Sequence, residues 1–141
     1  MIYSKVGLAL TESFESCRLV AYQDSGGRWT IGYGHTAGVK EGDTCTQEQA
    51  EQWLSEDIQW ASSVVNKNVT VTLTQQEFDA LVDFVYNLGS GNFENSTLLE
   101  LLNSGDYAGA AEQFERWNKV HGTIIAGLVR RRLTEESEFK S

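Results

Sequence analysis

The chain has no proline. No backbone φ is locked and no helix is ended by a missing N–H, so turns fall to Gly, Asn, Asp and Ser. Cysteine is scarce: Cys17 and Cys45 have no metal-ligand spacing, and they can bridge only if folding brings their Cα atoms within about 7 Å. We read them as free, partly buried thiols. No apolar run approaches the ~18 residues of a membrane span. The segment Met1–Glu15 is interrupted at Ser4, Lys5 and Thr11, which argues against a signal peptide. Cations are in the minority, with 11 Lys and Arg against 20 Asp and Glu and a net charge of −9. That balance argues against non-specific nucleic-acid binding. No repeat or low-complexity run occurs. At 141 residues, the chain suits one domain with a sizeable core.

What is there centres on Glu15–Thr36, ESCRLVAYQDSGGRWTIGYGHT. Two carboxylates, Glu15 and Asp24, stand nine positions apart, and the Thr30 hydroxyl follows six positions later. From Arg28 the residues alternate as in a strand: Trp29, Ile31 and Tyr33 take one face, and Thr30, Gly32 and Gly34 the other. A face bared by glycines lets a bulky ligand approach the backbone. Paired carboxylates beside such a face suit glycoside hydrolysis, in which one protonates the leaving oxygen and the other activates water or attacks the sugar. His35 has no Ser or Cys nucleophile to partner it, so we read it as a support that hydrogen-bonds near Glu15 or the adjoining backbone.

Glu15, Asp24, Thr30 and the IGYGHT run, together with FVYNLG at Phe84–Gly89 and GLVRRR at Gly127–Arg132, resemble the phage-type lysozymes (muramidases), among them T-even phage lysozymes and lambdoid phage endolysins. The resemblance extends over nearly the whole chain. It implies an enzyme that cleaves the β-1,4 bond between N-acetylmuramic acid and N-acetylglucosamine in bacterial peptidoglycan, causing host cell lysis. It assigns Glu15 as general acid, Asp24 as its partner carboxylate and Thr30 as a water-placing residue. It puts Tyr86, Asn87, Phe93 and Ser96 along the substrate groove. There Tyr86 is a sugar platform or core, and Asn87 an N-acetyl ligand or a cap. No metal or organic cofactor is implied. The implied partner is peptidoglycan, without nucleic acid or a membrane span. The resemblance also implies a monomer made in the host cytoplasm and released to the wall through a separate holin. The acidic total departs from expectation for an enzyme of anionic walls, and Arg130–Arg132 are either a local positive wall or a solvated helix face.

The expected fold is α+β and mainly α: a lysozyme-like single catalytic domain, 1–141, with a β lobe at about 18–45 facing a helical lobe, about 66–141 plus the N-terminal helix, across a cleft. Val6, Leu10, Phe14 and Cys17 form the predicted stripe of the first helix. Three short antiparallel segments are expected at 19–22, 28–34 and 38–42. Capping boxes at Thr46/Gln49 and Thr74/Glu77 open two helices, the first running through Val65. Phe78, Leu81, Val82, Val85 and Leu88 form the second helix's stripe, and Gly89 stops it. A loop over 90–95, two short helices, a connector at His121–Ile125 and a last helix over 126–136 follow, with Leu128, Val129 and Leu133 inward and the arginines largely outward. Asp24 and Thr30 favour hydrolysis over a lytic transglycosylase, which needs one acid/base, and intact Glu15, Asp24 and Thr30 speak against a non-catalytic wall-binding module. A water held by both side chains predicts inversion at the sugar carbon.

Overall fold

A computed structural model describes all residues from Met1 to Ser141. It is mainly helical with two small two-stranded sheets. The chain forms two compact units, one of residues 8–59 and one of residues 1–7 with 60–141.

The smaller unit begins within α1 (Lys5–Phe14). The residues that α1 buries are Gly7 and Thr11, whereas Val6 is 63 % exposed, so the predicted Val6–Leu10–Phe14–Cys17 stripe is not the buried one. Cys17 lies beyond the helix end. Strands β1 (Arg18–Gln23) and β2 (Trp29–Gly32) pair antiparallel, with Arg18 opposite Gly32, Tyr22 opposite Thr30 and a register shift between. The third expected strand is absent. Turns occupy 37–42, and the edge of β1 is met instead by a bridge from Val20 to Thr44, flanked by Ala21 N–H to Asp43 O and Cys45 N–H to Leu19 O.

The capping box predicted at Thr46 is present. Thr46 accepts from the Gln49 N–H at 3.1 Å, and the Gln49 side chain accepts from the Thr46 N–H at 2.9 Å. It opens α2 (Gln47–Asp57), but the single long helix breaks at Ile58, and α3 (Gln59–Asn68) follows. Gly32 explains how β2 seats on α2. Its φ is +66°, and a Cβ there would lie 3.1 Å from the Ala50 Cβ and 3.7 Å from the Trp53 ring. The glycine that suggested a ligand-facing strand thus admits a helix.

In the larger unit, α4 (Gln75–Leu88) carries the second capping box, Thr74 with Glu77, and ends at Gly89 with φ +92°. Every residue from Phe78 to Val85 is buried, so α4 is enclosed all round rather than along one stripe. Phe84 is the aromatic hub, edge-on to Phe93, Phe114 and Trp117 at ring separations of 6.3, 5.4 and 5.8 Å. The expected 90–95 loop is a short helix, α5 (Ser90–Glu94), followed by α6 (Thr97–Asn103), α7 (Tyr107–Gln113) and a 3-10 turn at Phe114–Arg116. The His121–Ile125 connector is largely a hairpin. Strands β3 (Lys119–Val120) and β4 (Thr123–Ile124) are joined by His121 at φ 49° and Gly122 at φ 81°, the paired positive values of a two-residue hairpin turn.

The last helix, α8 (Ala126–Lys140), outruns its predicted end and reverses its predicted facing. Leu133 is 46 % exposed, while Arg131 and Arg132 are 5 % and 0 % exposed. Arg131 forks onto Asp83 of α4, with Nε to Oδ2 and Nη2 to Oδ1 both 2.9 Å. The reason is local: α4 buries acids, and a buried carboxylate requires a cation or a proton. Arg130 alone of the three stays exposed.

Candidate active site

Glu15 directly follows α1, and its N–H still bonds the Thr11 carbonyl at 3.1 Å. The helix end thus sets where the carboxyl sits. The residue is partly buried, at the junction that leads through Ser16 and Cys17 into β1.

Asp24 stands exposed at the turn of the β1–β2 hairpin. Its Oδ1 accepts from the Gly26 and Arg28 N–H groups, both at 2.9 Å. Its own N–H donates to the Arg28 carbonyl at 2.9 Å. This is an Asx-type turn, which Asp-Ser-Gly-Gly favours. One oxygen anchors the loop, so the carboxylate is oriented and its Oδ2 is left for other chemistry. Thr30 is 4 % exposed, and its Oγ1 donates to the same Arg28 carbonyl at 3.0 Å. With its proton committed there, the hydroxyl can only accept from a further partner. Tyr22 pairs with Thr30 across the hairpin, so Asp24, two residues on, lies diagonally from Thr30 on the same face. The hairpin therefore brings Asp24 and Thr30 together through one shared backbone group.

His35 does not bond Glu15. Its backbone closes a bridge with Ile31, with both N–H to O distances 2.9 Å. Its Nδ1 lies 2.8 Å from Asp57 Oδ2, and its ring stacks on Trp53 at 4.5 Å. It ties the segment after β2 to α2, a support at another place than expected. Its carboxylate partner, Asp57, carried no sequence signal. Arg18 lies over the Tyr22 ring at 4.4 Å. Cys17 and Cys45 are free. Burial pushes both thiols up, with Glu12 and Glu51 adding to the effect at Cys17 and Cys17 adding to it at Cys45.

The four expected substrate residues belong to the larger unit. Tyr86 is partly buried and tilted against Trp60 at 6.2 Å. Asn87 is partly buried, and its Oδ1 accepts from Arg132 Nη2 at 2.7 Å. The side chains of the other two are buried. Phe93 is 0 % exposed in the aromatic core. Ser96 is 6 % exposed and caps α6, accepting from the Leu99 N–H at 3.1 Å while its hydroxyl donates to the Phe93 carbonyl at 2.7 Å. Neither presents a free group to a ligand. Sequence reasoning missed the fully buried Arg132–Glu135 pair behind Asn87 because three adjacent arginines read as a positive wall or a solvated face, both outward.

The sequence profile of the Phage lysozyme family matches residues 12–135. The chain is 46 % identical to the endolysin of Acyrthosiphon pisum secondary endosymbiont phage 1, over all of this chain and 99 % of that one. Among solved structures, a variant of P22 lysozyme aligns with a TM-score of 0.93 at 36 % identity, over 100 % of this chain and 99 % of that one. The muramidase domain of SpmX from Asticaccaulis excentricus aligns at 0.91 and 39 % identity, over 99 % and 97 %. With the carboxylate-bearing hairpin in place and the match running from before Glu15 to the end of the buried Arg–Glu cluster, the chain belongs to the phage lysozyme family and is a glycoside hydrolase.

Proposed function

We propose that residues 1–141 form a single catalytic domain that hydrolyses the β-1,4 bond between N-acetylmuramic acid and N-acetylglucosamine in peptidoglycan, with Glu15, Asp24 and Thr30 carrying the reaction. Glu15 donates its proton to the glycosidic oxygen as the bond to the sugar carbon breaks. A water, accepted by Asp24 Oδ2 and by the lone pairs of Thr30, attacks that carbon from the opposite face and passes its proton to Asp24, giving inversion. The observation that carries this reading is the Arg28 backbone. Its N–H holds Asp24 Oδ1 and its carbonyl takes the Thr30 hydroxyl, so one stretch of backbone fixes both side chains, which supports their sharing a water.

Product analysis on purified peptidoglycan tests it. Hydrolysis gives reducing ends, and NMR of the first-formed product should show the α anomer. Anhydro ends would establish a lytic transglycosylase, and a first-formed β anomer would remove the inverting water. The family resemblance further implies a monomer, released to the wall by a separate holin. No helix here is long and apolar enough to cross a membrane. Elution as a dimer in size-exclusion chromatography would exclude the monomer, and lysis by the enzyme expressed without a holin would exclude the release route.

A further inference from the structure

The larger unit buries two arginines and two carboxylates side by side. Arg131 is taken by Asp83. Arg132 is wholly buried and closes on Glu135, with Nη2 to Oε2 at 3.1 Å. Arg132 Nε also lies 2.7 Å from Glu135 Oε1, but neither atom gains an aligned hydrogen bond from that approach. Burial pushes the Glu135 carboxyl well up and the Arg132 guanidinium down, with each partly offsetting the other's shift. The guanidinium also lies over the Phe84 ring at 5.3 Å. Each arginine therefore already lies against a carboxyl group. The 2.7 Å bond from Arg132 Nη2 to Asn87 Oδ1 is additional.

That bond decides which way the Asn87 amide faces. A guanidinium has donors and no acceptor, so only the amide oxygen can meet it, and the NH2 group must point the other way. Asn87 is partly exposed, and its Nδ2 makes no hydrogen bond within the protein. Nor does Asn87 cap its helix, since the terminal bond of α4 is Gly89 N–H to the Val85 carbonyl at 2.7 Å. A partly exposed amide with its acceptor tied off is a dedicated donor. We propose that Arg132, held by Glu135, is a positioning residue that turns Asn87 so that its Nδ2–H donates to the carbonyl oxygen of an N-acetyl group on the glycan. This rests on the reading of the chain as a hydrolase of an N-acetylated glycan.

Asn87→Asp separates this from a structural role. An aspartate pairs with Arg132 at least as well but has no N–H to offer. On soluble peptidoglycan fragments its melting temperature should equal or exceed the parent's and kcat should hold, while KM rises about tenfold, the equivalent of one lost hydrogen bond. An unchanged KM would overturn the proposal. Arg132→Lys keeps the charge and loses the fork, so it should raise KM in the parent but add nothing in an Asn87→Ala background; an equal rise in both would overturn it. Should Arg132→Lys not fold, NMR of the parent protein decides. The Asn87 Nδ2 proton signals should shift on adding tetra-N-acetylchitotetraose but not its de-N-acetylated counterpart, and signals unmoved by either would overturn the proposal. Failure of the parent enzyme to release reducing ends would instead remove the hydrolase reading itself.

Discussion

The backbone of one residue, Arg28, holds Asp24 and Thr30 together. Its N–H bonds Asp24, and its carbonyl receives both the Asp24 N–H and the Thr30 hydroxyl. Such a loop orients side chains without relying on their own rotamer preferences, which is how a hairpin tip can position a water. Glu15 is placed differently, by the end of a helix. Glu15→Gln keeps that placement and removes the proton. It should lower wall lysis by about 10²–10⁴-fold, the usual range for a lost general acid, with an unchanged melting temperature. Turnover at the parent rate would remove Glu15 from the mechanism. The types and spacing of Glu15, Asp24 and Thr30 were legible in the sequence because their chemistry is local to 22 consecutive positions, Glu15–Thr36. The Asp57 partner of His35 was not, since it lies 22 residues away with no pattern linking the two.

At the scale of elements, two contacts set the frame. The seat of β2 on α2 depends on Gly32, which combines φ +66° with a Cβ direction 3.1 Å from Ala50. Gly32→Ala should therefore destabilise by about 1–3 kcal/mol through backbone strain and crowding together. Thermal unfolding measures this, and a neutral substitution would show that the pairing adjusts. The tie between α4 and α8 is ionic. Asp83→Asn leaves Arg131 buried beside a neutral amide and should cost about 3–5 kcal/mol in urea unfolding. A loss below about 1 kcal/mol, the value of a surface pair, would mean that Arg131 rearranges to solvent. Both capping boxes were readable because a cap involves residues three apart. The facing of α8 was not, since Arg131 points inward only because α4 presents a buried acid at Asp83.

At the scale of the molecule, charge is the open variable. With Arg131 and Arg132 buried and paired, they supply no positive wall, and the surface of a chain of net charge −9 faces an anionic substrate. Activity on bacterial wall should then rise severalfold as ionic strength is raised from about 0.01 M, where the Debye length is ~30 Å, to about 0.15 M, where it is ~8 Å, because salt screens repulsion. A turbidity rate that falls steadily over that range would indicate an attractive patch formed by the remaining exposed cations.

The sequence by itself determined the helix starts at Thr46 and Thr74, the stop at Gly89 and the family, because each depends on residues close together in the chain. Only the tertiary structure decided which of the three arginines are buried, that Phe93 and Ser96 serve the core and a cap, and that Gly32 meets a helix rather than a ligand. These are properties of what packs opposite a residue, and a residue's own neighbours in sequence do not specify its neighbours in space. Asn87 shows the division: its amide is written in the chain, but which end faces outward is settled by a guanidinium 45 residues away.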